Sequence, residues 1–270
     1  MRAFIPSRGR FQRAAARTIL VLGVLAAQPA QAEDPEITRL RAADRTTFTD
    51  AEIFDGFFKT TFGAEFRLEG RTDRIRKYVG PVRVYVDNRR APDRRAELPA
   101  VIADIRARIA HLDIALTEDR ASANFEITLV RNRDLASTIR AFFGREPARR
   151  MQHSLEPQCL SGYRKDASYR IEHSDVILVV DAGDFIFYDC AYEEILQALG
   201  PINDDPTVPW TMFNDDVQKG FFDVYDQYLL NILYHPRIRT GMTKAEVRAV
   251  LPQVMPDVRA WVARHNGPAH

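Results

Sequence analysis

The chain has little cysteine, no long apolar run and almost no net charge, and each shortage closes off a class of protein. Two cysteines, Cys159 and Cys190, cannot make a disulfide-dense scaffold and do not form a thioredoxin-like C-x-x-C. The apolar run from Thr18 to Ala27 is about half the ~20 residues that a bilayer span needs, and no later segment is long enough either. G-x-S-x-G, G-x-G-x-x-G and P-loop patterns do not occur. Internal repeats and low-complexity tracts are missing too. The six histidines (His111, His153, His173, His235, His265, His270) are scattered with no two four apart, and each reads as a surface residue.

What the N-terminus does contain is arginine. Arg2, Arg8, Arg10, Arg13 and Arg17 precede the apolar run without a single acid, and Ala30-Gln31-Ala32 follows it. A basic start, a short apolar centre and an A-x-A site make up a secretory signal peptide, so residues 1–32 are expected to be removed after Ala32. No cysteine follows the site to anchor a lipid, and no twin-arginine pair precedes the run. Loss of the five arginines leaves 33 basic against 37 acidic residues, a net charge of −4. A mildly acidic domain gives no electrostatic case for nucleic acid or anionic lipid. The expected product is a soluble periplasmic or secreted protein. In an oxidising compartment the two cysteines most simply form one disulfide, the alternative being two separate buried thiols.

Residues 33–48 are polar and unpatterned and read as a flexible lead-in. Thr49-Asp50-Ala51-Glu52 starts a helix with Ile53, Phe54, Phe57 and Phe58 on one face. Val82, Val84 and Val86 alternate as a strand after Pro81, and Phe125, Ile127 and Leu129 as a second. Between them, Val101, Ile105, Ile109, Leu112 and Leu116 recur at spacings of four, four, three and four, which predicts one helix over 97–116. Residues 132–173 read as a short helix and a long loop, and Val176–Val180 as a strand buried on both faces. A helix over Tyr192–Leu199 stops at Gly200-Pro201. A polar loop over 201–220 leads to a helix with Phe222, Tyr225, Leu229 and Ile232 on one face. A capping box at Thr243 opens a last helix, expected to break at Pro252 and resume after Pro256. The pattern predicts an α+β domain over 76–270, with 33–75 as an N-terminal linker and helix.

The informative segment is Glu193-Glu194-Ile195-Leu196-Gln197-Ala198-Leu199-Gly200-Pro201-Ile202-Asn203-Asp204. It resembles H-E-x-x-H-x-x-G-x-x-H, the zinc helix and turn of metzincin proteases. Glu194 falls on the general-base glutamate and Gly200 on the turning glycine, while Glu193, Gln197 and Asn203 take the three histidine positions. Thr211-Met212-Phe213 sits where such proteases place a methionine turn. Asp223, Asp226, Leu233 and Tyr234 follow as in the matrix type. More closely, the chain resembles the proteobacterial envelope family named domain of unknown function 2927. Ile53 with Gly63-Ala64-Glu65, the paired cysteines, Cys190 through Asp204, Leu233-Tyr234-His235-Pro236-Arg237 and Gly241-Met242-Thr243 carry that likeness.

The resemblance implies an exported protein with a metzincin-like zincin domain: a mixed sheet, a long helix and the motif helix. Its cleft would be lined by Glu193, Gln197, Gly200, Asn203, Asp204 and Met212, with Glu193, Gln197 and Asn203 converging. Neutral amides are poor zinc ligands, so neither zinc nor another cofactor is expected. The expected activity is binding, of an envelope protein or polymer, by a catalytically inactive domain. Three alternatives stand beside it: a hard-cation site from Glu193, Gln197, Asn203 and Asp204; a metal-free hydrolase or peptidase with Glu194 and Glu193 as an acid/base pair; and a likeness limited to a helix and a turn, with Gln197 capping or bracing the core and Glu194 a buried salt-bridge partner.

Overall fold

The computed structural model describes residues 33–63, 73–89, 91–144 and 159–267, of which Glu33 onward belongs to one compact unit. The signal-like segment 1–32 lies outside the described residues, as do Ala64 and Glu65. Helix α1 (Pro35–Ala43) replaces the expected flexible lead-in. Asp34 caps it by accepting from the Glu36 amide, and Pro35 presets the first turn. Only Ile37 on it is buried, so there was no apolar stripe to read. Helix α2 (Asp50–Thr61) starts at the Thr49–Glu52 capping box and buries Ile53, Phe57 and Phe58.

Five strands form one mixed sheet in the order β2-β1-β3-β5-β4. Strands β1 (Val82–Asn88), β2 (Ile114–Leu116), β3 (Phe125–Val130) and β5 (Ile171–Val179) are parallel, and β4 (Cys159–Lys165) runs antiparallel on the edge beside β5. On β5, Val176 and Leu178 enter the main core while Ile177 and Val179 face a smaller cluster with Leu135, Ile139 and Leu160. That strand is buried on both faces, as its unbroken apolar run predicts. Helix α4 (Asn132–Phe143) supplies the smaller cluster. The larger core takes Phe57 of α2, Phe187, Phe213, Phe222 and Tyr225.

The single helix expected over 97–116 is instead helix α3 (Leu98–Arg108), a turn and strand β2. Its end is set by residues distant in sequence. Asn231 Nδ2 and Trp261 Nε1 both donate to the Arg108 carbonyl at 2.9 Å, and the Ala110 amide donates to Asn231 Oδ1 at 2.8 Å. His111, at φ +63°, then reverses the chain. Ile109 and Leu112 are buried as the helical spacing suggested, but from the turn. The expected long loop within 132–173 contains β4 and the start of β5, paired from Cys159 opposite Leu178 to Lys165 opposite Ile171; its residues 145–158 lie outside the described set.

Helix α5 (Asp184–Gln197) begins eight residues before the expected Tyr192. Helix α6 (Val224–Tyr234) follows, and then helix α7 (Lys244–Asn266), which runs through Pro252 and Pro256 without a break. Both prolines are exposed, where water can serve the carbonyls they leave unbonded, while Val247, Leu251, Val254, Met255, Val258 and Val262 bury the opposite stripe. His235 departs from its surface reading: it is buried beside His111, with Nε2 3.3 Å from Asp257. No helix among the described residues is long and apolar enough to cross a membrane.

Lys77 ties the sheet margin to the end of α6. Its ammonium donates to the Leu233 carbonyl at 2.8 Å and the His235 carbonyl at 3.4 Å, which suits a cation at a helix C-terminus. Burial pushes its pKa down to about 8. The unfolded chain therefore holds the proton more tightly, and stability should rise as pH goes from about 8 to about 10.5. Urea titrations across that range should show wild type gaining about 2–3 kcal/mol relative to Lys77→Met. A constant difference would contradict this.

Candidate functional site

Helix α5 places the motif. Its middle is fixed by the Cys159–Cys190 disulfide to the first residue of β4, Cα to Cα 5.7 Å. Its terminal carbonyls are satisfied by side chains: Ser174 Oγ donates to Ala198 O at 2.8 Å, and Tyr234 Oη to Leu199 O at 2.9 Å. Gly200, at φ +146°, then turns the chain.

The convergence expected of Glu193, Gln197 and Asn203 does not occur. Asn203 is turned toward α2, where its Nδ2 donates to Lys59 O at 2.9 Å and its amide to Thr60 O at 3.2 Å. It is serving open carbonyls at a helix C-terminus, and its side chain fills the space where a Cβ on Gly63 would stand. Asp204 arrives at the motif in its place. Gln197 Nε2 donates to Asp204 Oδ1 at 2.6 Å, and Gln197 Oε1 accepts from Ser161 Oγ of β4 at 3.4 Å.

Two further carboxylates gather beside this pair. Glu193, Asp204 and Asp215 each offer a carboxylate oxygen, and the three lie within 4.8 Å of one another. Glu193 and Asp204 are half-buried and Asp215 is exposed. Glu194 is only 6% exposed, and its Oε2 has no hydrogen-bond partner among the described residues. Burial pushes the Glu194 carboxyl up to about 8, opposed by a hydrogen bond from Ser161 and reinforced by Asp204 and Asp215. Glu193 is also raised well above the usual carboxylate range, by burial first and then by Glu194, Asp204, Asp189 and Asp215. Asp215 and Ser161 were missed in the sequence. Asp215 had one available signal, its place just after the Thr211-Met212-Phe213 turn.

Met212 is buried, and its turn is held from α6. Asp226 accepts from Thr211 Oγ1 at 2.5 Å and from the Met212 amide at 2.8 Å. The Phe213 carbonyl in turn accepts from the Asp205 amide at 2.9 Å, linking the turn to the loop after α5. Burial and the neighbouring Asp223 keep the Asp226 carboxyl well above its ordinary pKa.

Zinc does not fit the three motif positions. Two are amides, Gln197 is occupied by Asp204 and Ser161, and Asn203 faces elsewhere.

Residues 50–253, from α2 to the middle of α7, match the family described as "Protein of unknown function (DUF2927)". The chain belongs to this family. All the segments that carried the likeness, Ile53 to Thr243, fall inside the match. Comparison with curated proteins and with solved structures returns no match. The carboxylate cluster, the disulfide and the Met212 turn of this DUF2927 chain all lie within the family region.

Proposed function

We propose that this chain is an exported protein of the cell envelope, cleaved after Ala32, that acts by binding on a metzincin-like α+β scaffold and not as a zinc peptidase. Support for the scaffold comes from the mixed sheet, the helix α3 between its strands and the motif helix α5 directly after β5. The observation that carries the loss of zinc chemistry is the 2.6 Å bond from Gln197 to Asp204, with Asn203 turned away to Lys59. Without a bound metal, Glu194 has no activated water to deprotonate. The bound partner would be an envelope protein or polymer.

A second reading, an envelope hydrolase with Glu194 as acid/base, is favoured by one feature. A buried carboxyl held near pH 8, with one oxygen unpartnered, is protonated at neutral pH and able to donate. One experiment separates the two. The purified protein, supplied with zinc, is incubated with an unstructured protein substrate and with cell-wall polymer. The binding reading expects no turnover and no stoichiometric zinc by elemental analysis. Turnover that disappears in Glu194→Gln would overturn it in favour of the hydrolase.

A further inference from the structure

We infer that Arg76 and Tyr163 form a buried site for a small monovalent anion, with chloride the best match. Among the described residues three lysine or arginine side chains are buried, and the fold treats each differently. Lys77 can shed its proton, since burial pushes its pKa down to about 8. Arg94 is matched by Glu97 at 2.6 Å and by Asp184 at 2.9 Å. Arg76, only 3% exposed, has neither remedy. A guanidinium keeps its charge at any physiological pH, and no carboxylate among the described residues pairs with this one.

Its surroundings are a partial answer. Nη2 donates to Thr61 O at 2.6 Å and to Gly63 O at 2.8 Å, at the C-terminus of α2. That helix end supplies about half a negative charge, and both bonds use one nitrogen. Nε is buried and has no hydrogen-bond partner among the described residues. The ring of Tyr163 faces the guanidinium from 5.9 Å, well back from the 4.0 Å of Arg94 over Phe187. Its hydroxyl is buried and equally without a partner there, as is that of Thr61, whose carbonyl Arg76 holds. Burial pushes the Tyr163 hydroxyl up to about 12, so it remains an O–H donor. Buried donors without an acceptor, beside a buried charge without a counter-charge, are a costly arrangement. An anion accepting from Nε–H and Oη–H answers both.

Charge and burial choose the ion. One guanidinium calls for one negative charge, which disfavours phosphate and sulfate dianions. The burial of Arg76 and Thr61 shuts out a carboxylate carried on a partner's side chain, whereas a bare ion can enter through local opening. Chloride is spherical and accepts from donors in any direction. It would join the end of α2 to β4 beside the motif. Tyr163 lies two residues beyond Ser161 on the same face of that strand. The Arg76 carbonyl is also the atom 2.5 Å from where a Cβ on Gly200 would stand. The site is separate from the carboxylates and stands whether the chain binds a partner or hydrolyses one.

The test is melting of the purified protein as sodium chloride replaces sodium gluconate. Ionic strength is held at about 0.5 M, where exposed charges are screened. Expected is a saturating rise, about 3–6 °C at tenfold excess over the chloride Kd. Tyr163→Phe removes one unpartnered hydroxyl, so the variant should fold while its chloride affinity falls tenfold or more. Crystals soaked in bromide should show an anomalous peak between Arg76 Nε and Tyr163 Oη. A melting temperature indifferent to the exchange would overturn the site and show that Arg76 is neutralised within the chain. A rise unchanged in Tyr163→Phe, or bromide found at the surface alone, would overturn it too. None of these readouts is turnover, so the binding-versus-hydrolysis question keeps its own assay.

Discussion

Gly200→Ala is expected to cost about 3–5 kcal/mol of folding stability, a large effect for adding one methyl group. Two terms add. At φ +146° the backbone lies in a region that essentially only glycine occupies, at a cost of order 1–3 kcal/mol for any other residue. A Cβ there would also stand 2.5 Å from the Arg76 carbonyl oxygen and 2.8 Å from Leu233 Cδ2. Backbone cannot swing aside as a side chain can, so overpacking adds about 1–3 kcal/mol. The strain would spread, because the Arg76 guanidinium donates to Thr61 O at 2.6 Å and to Gly63 O at 2.8 Å, beside the carbonyls that hold Asn203. Gly144→Ala is the control. At φ +81° and ψ −179° its backbone is also one that essentially only glycine adopts, but nothing lies within 4 Å of the added carbon, so only the conformational term applies, about 1–3 kcal/mol. Urea unfolding of both variants measures the difference, and equal losses would mean that the contact with Arg76 is not rigid.

The elements that could be read in the sequence are those whose signals are local. Both capping boxes, Thr49–Glu52 and Thr243–Glu246, start helices where expected, because the reciprocal bonds lie within four residues. Val176–Val180 is an apolar run that only a doubly covered strand accommodates. The misread elements take their shape from distant partners. Helix α3 stops at Arg108 because Asn231 and Trp261 take its last carbonyl, contacts more than a hundred residues away along the chain. Strand β4, CLSGYRK, has no clean alternation and is defined by pairing with β5. Helix α7 survives two prolines because its buried stripe outweighs two missing donors on the wet side. The site divides the same way. Glu193, Glu194 and Asp204 were legible because the motif spacing sets them on and just after one helix. Asn203 was misassigned and Asp215 missed because both depend on the path of the 201–220 loop, which the end of α2 and Asp226 fix from outside the motif.

Removing the disulfide should be the other large loss. Cys159 and Cys190 are 31 residues apart, and in the chain-entropy picture closing a loop of that length restricts the unfolded chain by about 3.5–4 kcal/mol. The double variant Cys159→Ser, Cys190→Ser avoids a lone reactive thiol and should melt about 8–15 °C lower. Part of the enclosed stretch is the β4–β5 pair, and residual hairpin structure in the unfolded chain would bring the loss toward 2 kcal/mol. Locally the bond matters more. Strand β4 is an edge held on one side only by β5, and the disulfide fastens its first residue to α5 one turn before Glu194. Ser161, two residues along that strand, is the hydroxyl that contacts both Gln197 and Glu194. Hydrogen exchange in the folded double variant should therefore quicken first at Cys159–Tyr163 and at the end of α5, before the rest of the sheet. Equal protection throughout, with a loss below about 1 kcal/mol, would show that packing alone holds the edge strand against the motif helix.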